Sequence, residues 1–270
     1  MNLRTSLHTS ALPRLEASML WQHVLGVSRS WLIAHDTDPL SLEHIAAYQA
    51  LSARRLAGEP MAYILGEREF MGHRFEVSPA VLIPRPDTEL LVERALDVLA
   101  GQPAPRVLDM GTGSGIVAIS IALARPDAQV YAMDVSAAAL AVAANNASTL
   151  GALVQFCSGN WYDSPFGSQH YDLIVSNPPY IHTHDDHLQQ GDLRFEPRDA
   201  LTDRLDGLSA LREIIEGARA CLTGPLAALY VEHGWDQAEA VRGMLRHNGF
   251  AGIASFRDLA DIERVSGGHL

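Results

Sequence analysis

Val107-Leu108-Asp109-Met110-Gly111-Thr112-Gly113-Ser114-Gly115, followed at once by Ile116-Val117-Ala118-Ile119, is the stretch that decides the fold. It reads as a short apolar strand, a glycine loop and the start of a helix. Glycines let the backbone turn sharply and let a ligand approach the main chain closely. Downstream, short apolar runs alternate with helical ones: Val130 to Asp134, Leu153 to Phe156, Asp172 to Val175 and Ala227 to Val231. Strands alternating with helices imply parallel pairing, so the pattern predicts an α/β, doubly wound sheet.

Upstream the text changes character. A helix is expected around Thr88 to Leu99, ended by Gly101-Gln102-Pro103-Ala104-Pro105. Two prolines hold Leu82-Ile83-Pro84-Arg85-Pro86 extended. Phe70 to Val77 alternates and is aromatic, as in a short hairpin or extended linker. Before about Met61 only helical spacing appears. Pro13 serves as a first-turn proline ahead of Leu15, Met19, Leu20 and Val24, and Ser41 caps a helix through Leu42, Ile45, Tyr48 and Leu51 that stops at Gly58-Glu59-Pro60. The expected plan is a helical domain over 1–68, a linker over 69–86 and the α/β domain over 87–270.

Composition narrows the chemistry. Of 270 residues, 47% are hydrophobic and 19% charged, which is globular. All 20 basic residues are arginine. Without lysine, Walker-A phosphate binding, kinase chemistry and pyridoxal Schiff bases are excluded. A net charge of -12 argues against a protein that coats nucleic acid. Cys157 and Cys221 lie far apart in apolar stretches and read as reduced thiols. No apolar run is long enough for a membrane span, and the first residues lack a signal peptide's core. The expectation is a soluble cytoplasmic protein.

A lone glycine loop is a weak signal, but two details sharpen this one. A dinucleotide fingerprint would need glycine at position 116, where Ile116 stands. Asp134 ends the next strand, where a carboxylate can accept hydrogen bonds from both ribose hydroxyls. Gly111, Gly113 and Gly115 with that acid are similar to the S-adenosylmethionine site of class I methyltransferases. Asn177-Pro178-Pro179-Tyr180 then follows the fourth strand, beyond its carboxyl end, where ligand sites of such sheets lie. The Asn177 side-chain carbonyl and the Pro178 main-chain carbonyl can grip both hydrogens of one –NH2 group. Tyr180 offers a flat face to a planar amide or base. A planar amide is a poor nucleophile, and holding both hydrogens favours the pyramidal form with its lone pair aimed at a methyl carbon.

Further blocks carry a resemblance. Pro60 to Gly66, Glu69-Phe70 with Gly72, Leu82 to Glu89, Phe195-Glu196-Pro197 with Ala200-Leu201, and Glu232-His233-Gly234 with Gln237 resemble the bacterial peptide chain release factor glutamine N(5)-methyltransferases, the HemK/PrmC family. The resemblance implies S-adenosylmethionine as cofactor and the Gly-Gly-Gln glutamine of class I release factors as substrate. It implies a seven-stranded Rossmann-like methyltransferase sheet with a small helical N-terminal domain that holds the release factor's body. By the same resemblance, Asp109 and Gly111, Thr112, Gly113, Ser114 and Gly115 hold the methionine moiety and Asp134 the ribose, while Asn160 and Trp161 flank the adenine. Asn177, Pro178, Pro179 and Tyr180 bind the substrate glutamine, with Phe70, Arg85, Pro86 and Thr88 walling the pocket. No metal, no stable nucleic-acid partner, no membrane and a monomer complete the expectation. Asp87 and Asn160 depart from the family's usual Glu and Asp, and the block from Asp258 to Arg264 lacks an expected glycine.

The tetrapeptide is shared with DNA adenine-N6 methyltransferases, which would need a basic groove and a target-recognition domain. A non-catalytic module that binds release factor and senses cofactor is the alternative from another class. His182, His184 and His187, with Asp185 and Asp186, have a spacing that can ligate metal, but transfer from a sulfonium needs none. Arg54-Arg55 reads as an exposed helix face, and Glu196 as a residue that orients a loop rather than a base.

Overall fold

Trp21 and Tyr48 stack with ring centroids 4.3 Å apart at the centre of the first of two units, Met1–Glu67. The computed structural model describes residues 1–270. In this unit the helices are Leu3–Thr9, Arg14–Leu25, Arg29–Ala34, Leu42–Leu56 and Met61–Leu65. Ser41 caps the fourth by accepting from His44 N, and Pro13 immediately precedes the second. The apolar spacing misleads in part. Leu15 and Leu42 are exposed, and Ala17, Leu20 and Trp21 form the buried face instead. Trp21 could be buried because its Nε1 donates to Ser6 Oγ at 3.1 Å, which satisfies the indole's one donor. The Arg54-Arg55 face is not free: Arg54 pairs with Glu59 and Arg55 with Glu16.

The second unit, Arg68–Leu270, begins at the second residue of a hairpin of β1 (Glu67–Phe70) and β2 (His73–Glu76), followed by the extended proline segment. Seven further strands form one sheet: β3 (Arg106–Met110), β4 (Gln129–Asp134), β5 (Val154–Ser158), β6 (Leu173–Ser176), β7 (Ala228–Glu232), β8 (Ala251–Arg257) and β9 (Glu263–His269). Their order is β5-β4-β3-β6-β7-β9-β8. The five strands read from sequence are parallel, but β9 runs antiparallel to both β7 and β8, so the sheet is mixed.

Alternate residues of the central strands enter opposite layers, as a two-sided sheet requires. Val107, Val130, Leu173 and Val175 pack on the side of helices Glu89–Val98 and Ile116–Ala124. Leu108, Tyr131, Ile174 and Leu229 pack on the side of Ser209–Cys221 and Ala238–His247. Strand β3 sits where the order reverses, pairing with β4 on one edge and β6 on the other. The carboxyl ends of β3, β4, β6 and β7 therefore open onto one crevice. No helix is long and apolar enough to cross a membrane.

Candidate active site

The glycine loop is held by its own neighbours. Gly111 N and Thr112 N both donate to Met133 O at 2.9 Å, which ties the loop to β4. Asp109 is buried, and its Oδ2 accepts from Thr112 Oγ1 at 2.6 Å and from Ala118 N at 3.2 Å. Ala118 lies in the first turn of Ile116–Ala124, whose amides have no intrahelical partner, so the carboxylate caps the helix that the loop starts. Burial pushes the Asp109 carboxyl up to about 7, against the pull of those two donors. Asp134 closes the loop from the other side: Oδ2 accepts from Gly113 N at 2.9 Å and Oδ1 from Ser136 N at 2.8 Å. Its carboxyl is also raised by burial.

Gly111 stands at φ +71°, and a Cβ there would lie 3.4 Å from Trp161 Cζ3. The indole can cross the loop because the loop has no side chain at that point. Trp161 is itself left-handed, at φ +45°, in a tight turn where Asn160 and Asp163 exchange backbone hydrogen bonds. Gly115, at φ +84°, starts the helix; a Cβ would meet Ile119 Cδ1 at 2.7 Å and Ala143 Cβ at 3.1 Å.

These residues surround a cavity of about 430 Å³, within the ~300–1,000 Å³ of small-molecule sites. Asp109, Gly111, Thr112, Gly113, Ser114, Asp134, Asn160, Trp161, Arg85, Thr88, Asn177 and Pro179 line it. Five expected residues do not. Gly115 shapes the turn. Phe70 is 1% exposed and packs edge-on against Phe75, because strand alternation turns it into the core. Pro86 starts a 3-10 turn, Pro86–Thr88, beside the cavity wall. Pro178 is buried behind the loop. Tyr180 points away: its hydroxyl donates to Glu232 Oε1 at 3.1 Å, and burial raises it far above an ordinary phenol. Its hydroxyl is thus anchored outside the cavity, and its ring is not among the cavity's lining. Val117, Ser136 and Asp199 line the cavity and were not singled out in the sequence, while Pro197 and Ala200, named there only as part of the resemblance, line it too.

The tetrapeptide is positioned by distant partners. Asn177 Nδ2 donates to Thr88 Oγ1 at 3.1 Å, which leaves Oδ1 as the acceptor of a side chain that lines the cavity. The Pro178 carbonyl is not used by any backbone donor. Gln237 pins the end of the segment, donating from Nε2 to Tyr180 O at 2.9 Å and Gly207 O at 3.1 Å while its Oε1 accepts from Gly234 N. Glu196 is buried and takes Ile83 N at 3.0 Å and the Arg85 guanidinium, so it clamps the proline segment and aims Arg85 along the wall. Asn146 joins the hairpin to the loop, donating to Glu76 O and Ser114 O. In the histidine loop, His187 Nδ1 lies 2.6 Å from Asp185 Oδ1 and His184 N donates to His182 Nδ1.

Residues 3–66 match the PrmC N-terminal domain and residues 86–193 the methyltransferase small domain. The chain is 62% identical over 268 residues, 99% of each chain, to the release factor glutamine methyltransferase of Bordetella pertussis. It is 52% identical over 270 residues, 98% of this chain and 94% of the relative, to that of Burkholderia pseudomallei. A methyltransferase of Pyrococcus furiosus shares the fold, with a TM-score of 0.52 at 16% identity over 81% of this chain and 96% of that one. With identity of this order over nearly the whole chain, the chain belongs to the release factor glutamine methyltransferase family, enzymes that use S-adenosylmethionine.

Proposed function

We propose that this protein methylates the side-chain amide nitrogen of the glutamine in the Gly-Gly-Gln motif of class I release factors. The observation that carries the reading is the orientation of Asn177. With Nδ2 committed to Thr88, Asn177 lines the cavity with its Oδ1 left to accept, and the carbonyl of the next residue, Pro178, is occupied by no backbone donor. Two such acceptors suit the two hydrogens of a primary amide.

S-adenosylmethionine, when bound, supplies a methyl group on a positively charged sulfonium. The left-handed glycines leave the backbone of residues 111–115 open to its methionine part, with Thr112 and Ser114 in the cavity wall. Each Asp134 oxygen accepts one backbone N–H and keeps a lone pair for a ribose hydroxyl. Trp161 and Asn160 line the cavity where the adenine ring needs a flat apolar face and a polar edge. Asn177 Oδ1 and the Pro178 carbonyl hold the amide hydrogens and stabilise the positive charge that develops on nitrogen. Positioning does the rest, and the extra proton leaves to water once the new N–C bond has formed.

The helical unit over residues 1–67 is proposed to hold the body of the release factor. It carries a groove of about 600 Å³ where Arg14 and Arg29 lie among Leu15, Leu32 and Ile33. A monomer acting in the cytoplasm, with 69–86 as linker, belongs to the same proposal. The test is transfer of tritiated methyl from S-adenosylmethionine to unmodified release factor, with duplex DNA as the competing acceptor. Label on the protein alone is expected; label on DNA would overturn the reading. R14E/R29E should raise KM for release factor and leave KM for cofactor unchanged.

A further inference from the structure

A hydroxyl has one proton, and Thr88's proton decides which way Asn177 faces. Thr88 is fully buried, and its Oγ1 accepts from Asn177 Nδ2. Were the hydroxyl to donate to Asn177 instead, the amide would turn over. Its oxygen would then be consumed, and an N–H would confront the N–H of the substrate amide. The acceptor orientation therefore needs another group to take the Thr88 proton.

Glu232, at the carboxyl end of β7, lies near the same hydroxyl. It is 1% exposed, and its Oε1 accepts from Tyr180. Its Oε2 is buried and has no hydrogen bond of ordinary geometry, although the Thr88 hydroxyl is near enough to hold the carboxyl's pKa down. A buried carboxylate oxygen short of a donor beside a hydroxyl in need of an acceptor is a complementary pair.

We propose that Glu232 is a positioning residue for methyl transfer: as a carboxylate it accepts a hydrogen bond from the Thr88 hydroxyl, leaves the Thr88 lone pair for Asn177 Nδ2, and so fixes Asn177 Oδ1 on the acceptor nitrogen. The proposal rests on the reading of Asn177 given above and adds to it the group that sets its polarity. The charged surroundings of Glu232 oppose one another. Burial and the Asp87 carboxylate raise its carboxyl, the Tyr180 and Thr88 hydroxyls and Arg264 lower it, and the balance stands at about 7. The neighbouring His233 is engaged elsewhere, between Ser266 Oγ and Gly234 O. Protonated Glu232 no longer demands the Thr88 proton, so the relay loosens as pH falls through neutrality.

The test is kcat against pH, at saturating cofactor, for the full chain and for E232Q, T88V and T88S. Saturation removes the contribution of Asp109 to cofactor binding. The wild type should lose kcat on the acid side with an apparent pKa near 7. E232Q and T88V should each lower kcat by about tenfold to a hundredfold with cofactor KM within about threefold, the pattern of a lost transition-state interaction. T88S, which keeps the hydroxyl, should recover most of the rate, and E232Q should lose the acid limb. T88V/E232Q should be no worse than T88V, because both break one relay. Cofactor affinity by calorimetry reports whether each variant is folded. Should E232Q fail to fold, the wild-type profile and the T88V/T88S pair still decide. Wild-type kcat in E232Q, an acid limb that persists there, a wild-type profile flat through neutrality, or T88S as slow as T88V would overturn the proposal. If the wild type transfers no methyl to release factor, the function fails instead, and the two failures are distinguishable.

Discussion

The two halves of the crevice are built differently. On the β3–β4 side, Asp109 meets Thr112 and Ala118, three and nine residues away, and Asp134 meets Ser136 two residues away. On the β6–β7 side, Asn177 meets Thr88 at a separation of 89 residues, Tyr180 meets Glu232 at 52, and Arg85 meets Glu196 at 111. The cofactor half is the more local: its longest carboxylate bond, Asp134 to Gly113, spans 21 residues, and it forms once β3, its loop and helix, and β4 have paired. The acceptor half exists only when the linker, the tetrapeptide loop and β7 have come together. Such a division predicts that changes in one half alter cofactor affinity, and changes in the other alter turnover or the integrity of the linker.

The sharpest break should come from N177A. Loss of the oxygen that holds the acceptor amide is expected to lower kcat by about 10²–10³-fold, with cofactor affinity nearly unchanged in calorimetry. Near-normal kcat would dissolve the distinction between the halves. Next in size is E196A, which strands the Arg85 guanidinium and the Ile83 amide. Removing one partner of a buried pair costs about 3–5 kcal/mol, and partial exposure of Arg85 brings the expectation to about 2–3 kcal/mol. Thermal unfolding should then fall by roughly 5–10 °C.

D134A tests the other half. It should weaken cofactor binding about tenfold while kcat at saturation holds; equal affinity would remove the ribose role from Asp134. The smallest effect concerns pH and Asp109. Its carboxyl is raised to about 7, so between the ordinary carboxylate range and neutrality the folded protein keeps a proton that the unfolded chain has lost. Stability of the cofactor-free protein therefore falls as pH rises through that window. A cationic ligand favours the ionised form, so affinity for S-adenosylmethionine should rise a few-fold from about pH 6 to 8. A dissociation constant flat over that range would show that Asp109 does not ionise on binding.

Local construction also explains what could be read in advance. The glycine loop, Asp134 and the five parallel strands are signalled by adjacent residues, and the structure places them as expected. The last two strands of the seven that the resemblance implies could not be located from the residue pattern. Residues 251–257 pair with register shifts and residues 263–269 include Gly267-Gly268, so neither shows clean alternation. Tyr180 and Phe70 were placed at the pocket, and neither lines the cavity: Phe70 packs in the core and Tyr180 is held by its hydroxyl. A motif gives a residue's position along the chain, whereas facing is set by partners such as Glu232 and Phe75. Leu42 followed the helical spacing yet is solvent-exposed at the first helical position. Thr88 could be named from its segment, but its bond to Asn177 could not, since nothing local encodes a contact over that distance.

One measurement bears most directly on the account. Unmodified release factor would be incubated with enzyme and S-adenosylmethionine, digested, and its peptides fragmented in a mass spectrometer, beside the same factor with its Gly-Gly-Gln glutamine changed to alanine. The account predicts one added methyl group on the glutamine side chain of the first protein and none on the second. A methyl group on any other residue, or equal labelling of both proteins, would contradict it.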